Sequence, residues 1–245
     1  MTLSLMDRGD GVRLAARFRT GTGPVLVFLP GYASDMTGDK ASALDQWASS
    51  HGRAMLRLDY SGCGESEGAF LEGTLTRWRD DAAVLIDHFA PEAPLVLIGS
   101  SMGGWIALML AEALGSRVAA LVGIAAAPDF TEWSFGPAER AALVDATLYR
   151  ASPYMANPMA FTRPFWESGQ ASLMLGCPIA IDAPVRLLHG QCDESVPWEI
   201  AVRTAAALRS ADVQVTLVKD GDHRLSRPQD LDLLVRTVAS LGVSA

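Results

Sequence analysis

The sequence predicts an α/β fold, in which a doubly wound, mostly parallel sheet carries helices on both faces and a helical cap insertion. Three observations predict it. Short apolar runs bounded by turn residues recur along the chain, as is typical of parallel strands covered on both faces. Segments with helical spacing of apolar residues separate most of these runs. The alternation stops only once, between Pro128 and Val185. Such repeated units specify right-handed crossovers and a ligand site beyond the carboxyl ends of the strands.

The first half of the chain is predicted to begin with an antiparallel edge. Apolar and polar residues alternate over 3–19 around the turn signal Asp10-Gly11, which predicts a β-hairpin. The elements predicted after it are a strand at 25–29, a helix at about 40–50, a strand at 54–58, a helix at 74–89, a strand at 95–98 and a helix at 104–114.

The second half continues with a strand at 118–124 and is then interrupted by residues 129–180, which we name the cap segment. Its aromatic and methionine residues are Phe130, Trp133, Phe135, Tyr149, Tyr154, Met155, Met159, Phe161, Phe165 and Trp166, interrupted by Pro153, Pro158 and Pro164. The alternation resumes with a strand at 185–189, a helix at 199–209, a strand at 213–218 and a helix at about 229–241. We therefore expect a single domain over 1–245 in which the cap segment is a mostly helical insertion.

Composition and charge argue against several classes of protein. With 245 residues, 49% of them hydrophobic, the chain can bury the core of one domain. The formal net charge of -8 argues against nucleic-acid binding. Residues 94–111 are uncharged, but glycines break the run, so we expect no transmembrane segment. Three cysteines without C-x-x-C spacing argue against a disulfide framework or a zinc site. Together with the absence of a visible signal or transit segment in residues 1–10, they predict a cytoplasmic protein.

A nucleophile elbow is predicted at Gly99-Ser100-Ser101-Met102-Gly103, between an apolar strand and a helix. In the G-x-S-x-G pattern the central serine occupies a strained strand-to-helix turn, and the flanking glycines avoid collisions with neighbouring backbone. Ser101 is therefore the candidate nucleophile. The amide of Met102 would point towards a negative oxygen that develops there.

A serine nucleophile needs a base within hydrogen-bond distance, and the chain offers four histidines. His51 and His88 lie in the last turns of predicted helices, where a surface histidine is ordinary. His189 ends a predicted strand, whereas His223 lies in a loop just after the last one. Because this type of fold runs from serine to acid to histidine, we expect His223 to be the base and His189 to have a structural role.

The acid is expected after the predicted strand at 185–189. Two adjacent carboxylates lie there, Asp193 and Glu194, and Asp193 is favoured because it is the first acid beyond the turn. Glu194 is then a solvated neighbour. Asp182 precedes the strand and would lie at its opposite end, and Asp222 is expected to be a loop residue beside the base.

An oxyanion needs a second backbone donor, normally from the loop after the first central strand. That loop begins Pro30-Gly31-Tyr32, so we expect the amide of Tyr32 to act with that of Met102. Asp59 precedes a turn, and we expect it to brace that turn by accepting backbone hydrogen bonds.

These motifs together resemble the α/β-hydrolase superfamily. More closely, the chain resembles the small serine-hydrolase family that includes a mitochondrial depalmitoylase and acyl-glucuronide esterase of animals and many bacterial proteins. The matching stretches are 30–32 with 34–36, 59–62, 99–105, 187–191 and 220–226. The resemblance implies the α/β-hydrolase fold, a triad of Ser101, Asp193 and His223, and an oxyanion hole formed by the amides of Tyr32 and Met102.

The resulting hypothesis is a serine hydrolase that needs no cofactor or metal and cleaves carboxylic esters or thioesters through an acyl-enzyme. Its partner would be a small-molecule ester or acylated substrate, and the preference for esters follows from the resemblance. A peptidase or amidase on the same triad is an open alternative. An alternative of another class is a small-molecule receptor or scaffold on a hydrolase fold. Dehalogenase chemistry is disfavoured because it needs an aspartate where this chain has Ser101.

The residues of the cap segment do not identify the substrate. Its aromatic and methionine residues form either a hydrophobic pocket for medium or long acyl chains or simply the core of the cap. Arg140, Arg150 and Arg163 are available to pair with a substrate carboxylate, although surface arginines on a cap need no such purpose.

Overall fold

The computed structural model describes residues 1–152 and 157–241. Ten strands, eight α-helices and two short 3-10 helices, Phe70–Glu72 and Gly115–Arg117, lie within these residues. The strands are β1 (Leu3–Asp7), β2 (Arg13–Arg19), β3 (Thr22–Leu29), β4 (Arg53–Leu58), β5 (Leu95–Ser100), β6 (Val118–Ile124), β7 (Leu148–Arg150), β8 (Met159–Phe161), β9 (Val185–Gly190) and β10 (Val213–Val218). The helices are α1 (Asp39–Ser50), α2 (Leu75–Phe89), α3 (Met102–Leu114), α4 (Phe130–Trp133), α5 (Pro137–Ala142), α6 (Arg163–Gln170), α7 (Glu199–Ala207) and α8 (Pro228–Ser240).

Eight of the strands form one sheet in the order β1-β2-β4-β3-β5-β6-β9-β10. The pairs β1–β2 and β2–β4 are antiparallel, and all the others are parallel. This arrangement confirms the predicted mostly parallel sheet with an antiparallel edge. Strands β5, β9 and β10, which precede the predicted nucleophile, acid and base, therefore end at the same edge of the sheet.

The two faces of the sheet are covered by different helices. Along β3, Val27 packs into one hydrophobic cluster, and Leu26 packs into another, because successive side chains of a strand point to opposite faces. The first cluster includes Trp105 of α3 and other residues of α2 and α7, whereas the second includes Leu44 of α1 and Leu234 of α8. Helices on both faces were predicted, and the structure confirms them.

Two helix boundaries differ from the predicted ones by two residues, each for a physical reason. Helix α3 begins at Met102 instead of 104, since Gly103 and Gly104 lie in its first turn against neighbouring backbone. Helix α7 ends at Ala207 instead of 209. Leu208 leaves the helix because it forms an isolated parallel bridge with Ile179, a contact distant in sequence. Tertiary packing therefore overrides local helix propensity at this point.

The cap segment contains three short helices, α4, α5 and α6, and a two-stranded antiparallel sheet, β7–β8. The sheet was not predicted, because strands of three residues are too short to show alternation. Pro153, Tyr154 and Met155, which the prediction counted in this segment, lie outside the described residues. None of the helices within 1–152 and 157–241 is long and apolar enough to cross a bilayer.

Candidate active site

Ser101 lies on a strained turn between β5 and α3. Its backbone angles, φ 54° and ψ -120°, are ones that non-glycine residues rarely adopt. Its amide donates to Ile124 of β6 at 2.9 Å, so the turn is tied to the next strand of the sheet. A Cβ on Gly99 would collide with the backbone oxygen of Gly103, and one on Gly103 with that of Leu29. Both flanking glycines of the predicted elbow are therefore sterically required.

The structure brings Ser101, His223 and Asp193 together in one hydrogen-bonded chain. The Nε2 atom of His223 lies 3.1 Å from the Oγ atom of Ser101, and its Nδ1 atom lies 2.8 Å from Oδ2 of Asp193. The three side chains come from the turns after β5, β9 and β10, which meet at the carboxyl edge of the sheet. This arrangement can move a proton from the serine hydroxyl to the imidazole.

The carboxylate of Asp193 is fully buried and accepts hydrogen bonds on both oxygens. Its Oδ1 atom accepts the amides of Ser195 and Val196, each at 2.8 Å. Burial raises the pKa of this carboxyl group, but hydrogen bonds from His189 and His223 outweigh it, so the pKa lies well below its ordinary value. Asp193 is therefore ionised at neutral pH and holds the proton of His223 on Nδ1.

Tyr32 and Met102, whose amides are predicted to hold the oxyanion, line the same cavity as Ser101. Met102 is the first residue of α3, so its N–H has no acceptor within the helix. Tyr32 follows Gly31, where an added Cβ would lie 3.3 Å from the Cβ of Ser101. The hydroxyl of Tyr32 donates to the carbonyl of Ala160 in the cap segment. The loop after β3 is thus held against both the elbow and the cap segment.

Comparison with known proteins identifies the family. A family model described as serine aminopeptidase, S33, matches residues 23–159. The mitochondrial palmitoyl-protein thioesterase ABHD10 of mouse is 38% identical over 245 residues, which cover 98% of this chain and 82% of that protein. The human protein of the same name is 37% identical, over 98% of this chain and 80% of its own length. The chain belongs to this family of α/β-hydrolases.

Solved structures agree with that assignment. A structure from Agrobacterium vitis S4 superimposes with a TM-score of 0.91 and 40% identity, covering 98% of this chain and 99% of the other. The mouse α/β-hydrolase domain-containing protein 10 also gives a TM-score of 0.91, at 36% identity and with 98% of each chain covered. The predicted α/β-hydrolase fold is confirmed.

The predicted cytoplasmic location is wrong, because the matched mouse, rat and human relatives are mitochondrial by name. The prediction rested partly on the three cysteines. Unpaired cysteines argue against oxidising compartments only and do not distinguish one reducing compartment from another. Targeting segments are processed apart from the fold, so the residues of the folded domain carry no signal that could have corrected the prediction.

His189 of this hydrolase-family chain also contacts the acid. Its side chain is fully buried at the end of β9, and its Nε2 atom lies 3.2 Å from Oδ2 of Asp193 and 3.0 Å from the carbonyl oxygen of Val196. Sequence reasoning gave His189 a structural role and missed this contact. The sequence feature that could have indicated this contact is the position of His189 at a strand end, four residues before the predicted acid.

The other acids that the sequence analysis set aside lie outside the triad. Glu194 is exposed, and the exposed Asp182 pairs with Arg209 at 2.6 Å. Asp222 accepts the amide of Leu225 at 3.0 Å within the loop of the base. Asp59 accepts the amides of Met36 at 2.7 Å and Glu65 at 2.9 Å, as expected for a residue that braces a turn.

The two remaining histidines also lie away from the triad. His51 follows α1 and His88 lies in the last turn of α2, and both are exposed. The Nδ1 atom of His51 lies 2.9 Å from the carbonyl oxygen of Trp47 at the end of its own helix. Both positions agree with the ordinary surface role expected from the sequence.

A cavity of about 740 Å³ opens in front of the triad. Ser101 and His223 both line it. Its apolar lining residues include Tyr32, Met102, Phe130, Trp133, Met159 and Phe161. Its polar lining residues include Ser34, Asp35, Thr37, Asp39, Lys40, Glu194 and Arg224. The cavity in front of Ser101 and His223 therefore has both an aromatic wall and a polar wall.

Of the three cap arginines, Arg150 is the one that lines this cavity among the described residues. Its guanidinium is already bound: it donates to both carboxylate oxygens of Glu139 at 2.8 Å and lies 3.9 Å from the ring centre of Phe135. Arg163 pairs with Glu167 on an exposed face of α6. Arg140 donates to the carbonyl oxygen of Phe135 at 2.8 Å. These contacts favour a structural role for the arginines.

Proposed function

We propose that this chain is a serine hydrolase that cleaves carboxylic esters or thioesters through an acyl-enzyme intermediate. The observation that carries the proposal is the hydrogen-bonded chain from Ser101 through His223 to Asp193, which opens into a cavity large enough for an acylated substrate. The ABHD10 relatives, which are palmitoyl-protein thioesterases by name, support the same reaction class. The fold alone would not, because one fold serves many functions.

The proposed first half-reaction forms the acyl-enzyme. Nε2 of His223 takes the hydroxyl proton of Ser101 as Oγ attacks the carbonyl carbon of the substrate. The negative oxygen of the tetrahedral intermediate accepts hydrogen bonds from the amides of Tyr32 and Met102. The imidazolium formed on His223 is stabilised by Asp193, and it gives its proton to the departing alcohol or thiol as the carbon–oxygen or carbon–sulfur bond breaks.

The proposed second half-reaction releases the acid. His223 takes a proton from water, the resulting hydroxide adds to the acyl carbon, and the same two amides hold the second oxyanion. Collapse of this intermediate breaks the bond to Oγ, and the proton on Nε2 returns to Ser101. The triad is thereby restored without any cofactor.

The aromatic wall of the cavity supports an apolar acyl group. Phe130, Trp133 and Phe161 line the same cavity as Ser101, and hydrophobic pockets with a few polar groups suit acyl chains. We propose that residues 129–180 cover the site as the cap of a single domain. The mammalian relatives are palmitoyl-protein thioesterases by name, which favours long acyl chains and thioesters for this chain as well.

A peptidase or amidase is the second candidate, since the matching family model is described as serine aminopeptidase. Amide hydrolysis passes through the same type of tetrahedral intermediate and needs the same groups. Measured turnover of aminoacyl p-nitroanilides beside matched p-nitrophenyl esters would separate the two. Faster turnover of the anilides would overturn the ester assignment.

The test of the proposed function compares the wild type with Ser101→Ala by fluorophosphonate labelling and by hydrolysis of p-nitrophenyl esters from acetyl to palmitoyl. We expect labelling to vanish in the variant and kcat to fall roughly 10⁴-fold or more. Ser34→Ala is the matched control, because Ser34 lines the same cavity and is exposed. A folded wild type that takes no label and turns over no ester or palmitoyl thioester would favour the receptor or scaffold alternative.

A further inference from the structure

A second imidazole supports the turn that carries the proposed acid. His189 is fully buried, and its Nε2 atom lies 3.0 Å from the carbonyl oxygen of Val196 and 3.2 Å from Oδ2 of Asp193. Asp193 and Val196 are the two ends of the turn after β9. His189 therefore contacts that turn at both ends from its buried side.

The tautomer of His189 follows from the surroundings of its other nitrogen. Nδ1 is buried and has no hydrogen-bond partner among the described residues. A proton on Nδ1 would be a buried donor without an acceptor, which is more costly than a bare lone pair. The geometry therefore favours a proton on Nε2, where two acceptors lie within 3.2 Å. Nε2–H is shared between the carbonyl of Val196 and the carboxylate of Asp193.

This contact adds to the hydrogen bonding of Asp193. Oδ1 accepts the amides of Ser195 and Val196, and Oδ2 accepts Nδ1–H of His223. Nε2 of His189 lies 3.2 Å from the same Oδ2 atom. Rotation of the carboxylate therefore breaks at least one of these contacts. Oδ2 is thereby held at 2.8 Å from His223.

An apolar side chain of similar volume would fill the space below the turn without leaving a buried nitrogen that lacks a partner. The polar atom that distinguishes histidine from such a residue is the Nε2–H aimed at Asp193 and Val196. We propose that His189 is a positioning residue, whose Nε2–H fixes Asp193 in the orientation that serves His223. This inference rests on the proposed function, and it assigns His189 no contact with substrate.

Two amide variants of His189 test the proposal, because they differ in reach but not in charge. In His189→Gln the amide nitrogen lies at the position of Nε2, whereas in His189→Asn it lies at the position of Nδ1. We expect His189→Gln to keep kcat within about threefold of the wild type. We expect His189→Asn to lower kcat roughly 10- to 100-fold with KM unchanged within about twofold, because it removes a hydrogen bond to a charged group.

A spectroscopic readout separates positioning from general loss of structure. The proton on Nδ1 of His223 gives a low-field NMR signal when it is held by Asp193. We expect that signal in the wild type and in His189→Gln, and its loss or displacement in His189→Asn. Thermal unfolding of each variant shows whether the chain is folded, and the nitrogen shifts of His189 in the wild type at pH 7 report its tautomer.

Several results would overturn the positioning role. They are equal kcat in the two variants, an unchanged His223 signal in His189→Asn, or a wild-type His189 that carries a proton on Nδ1. If neither variant folds, the tautomer measured in the wild type decides. A wild type without turnover contradicts the proposed function alone, since the NMR comparison still decides whether His189 orders the Asp193–His223 pair.

Discussion

The turns that carry Ser101, Asp193 and His223, which we name the rim turns, differ from the cap segment in what holds them in place. The rim turns are tied to the sheet and to one another by backbone hydrogen bonds. The amide of Ser101 donates to Ile124, and that of Cys192 donates to Gly221 in the loop of the base at 2.8 Å. The turn that carries Asp193 and the loop that carries His223 are therefore joined by a backbone hydrogen bond.

The cap segment has a backbone bridge near its end, between Ile179 and Leu208, but side chains hold the rest of it against the sheet domain. Its helices have four, six and eight residues, which is too short for stability from the helix alone. Phe161 and Phe165 pack on the ring of Tyr32, with ring centres 4.6 and 4.9 Å from it. Phe161 lines the cavity, and both phenylalanines belong to the hydrophobic core. An acyl pocket and a cap core, the two alternatives left open by the sequence, are therefore compatible.

The comparison teaches that the two halves of the site tolerate change differently. Backbone conformation at the rim turns depends on close contacts that any added atom disturbs. Packing in the cap segment depends on apolar volume, which several residue types can supply. We expect the geometry of the reacting groups to be rigidly specified and the shape of the acyl site to be more variable.

The largest effect is expected for Gly103→Ala in the rim turns. Its Cβ would collide with the backbone oxygen of Leu29, so the elbow must move. We expect a loss of at least about 3 kcal/mol in the free energy of unfolding and the loss of fluorophosphonate labelling. Denaturant titration and labelling of the folded variant measure both.

Gly176→Ala in the cap segment is the matched control. Gly176 is exposed, and an added Cβ would meet nothing within 4 Å. We expect a change within about 0.5 kcal/mol and normal labelling. Similar losses in the two variants would contradict the difference between the two regions.

Local backbone chemistry explains how much the sequence could predict. Gly99 and Gly103 mark the elbow because only glycine fits there, and apolar strands between helices fixed the sheet. The three side chains expected to form a triad lie in hydrogen-bond contact, although their catalytic roles and the single-domain division stay predictions.

Tertiary packing explains what the sequence could not predict. Strands β7 and β8 owe their pairing to contacts such as Leu148 with Phe161, which no local period reveals. The contact of His189 with Asp193 depends on the path of the turn between them. In the first case residues distant in the chain determine the structure, and in the second the spacing of the two residues was visible but the path of the turn was not.

An effect of intermediate size on the free energy of unfolding is expected when the pH is lowered. The pKa of Asp193 lies below its ordinary value in the folded chain, so the folded state binds fewer protons than the unfolded state as the pH falls. Its stabilisation is present above the ordinary pKa of 3.8 and is lost as the pH falls through the lower folded value. We expect the free energy of unfolding to decrease less between pH 5 and pH 3 in Asp193→Asn than in the wild type.

Glu139→Gln in the cap segment provides the comparison for the acid effect. Hydrogen bonds from Arg150 and from the amide of Gly136 lower the pKa of Glu139, so the sign is the same as for Asp193. Its side chain is 35% exposed, however, and solvent screens the pair. In denaturant titrations at the two pH values, the loss of unfolding free energy in Glu139→Gln should differ from that of the wild type by less than the loss in Asp193→Asn does. An equal or larger difference from the wild type would place the stronger electrostatic constraint in the cap segment.

The smallest effect is expected for Arg163→Ala. Arg163 and Glu167 form an i,i+4 pair on α6, and their side chains are 53% and 51% exposed. Such a pair contributes about 0.3–0.5 kcal/mol, so unfolding should change by no more than that. Because Arg163 is not among the described residues that line the cavity, KM should stay within about twofold for an acidic and a neutral ester alike. A higher KM for the acidic ester alone would show that this helix reaches the substrate, and the cap segment would then contribute charge as well as apolar volume to recognition.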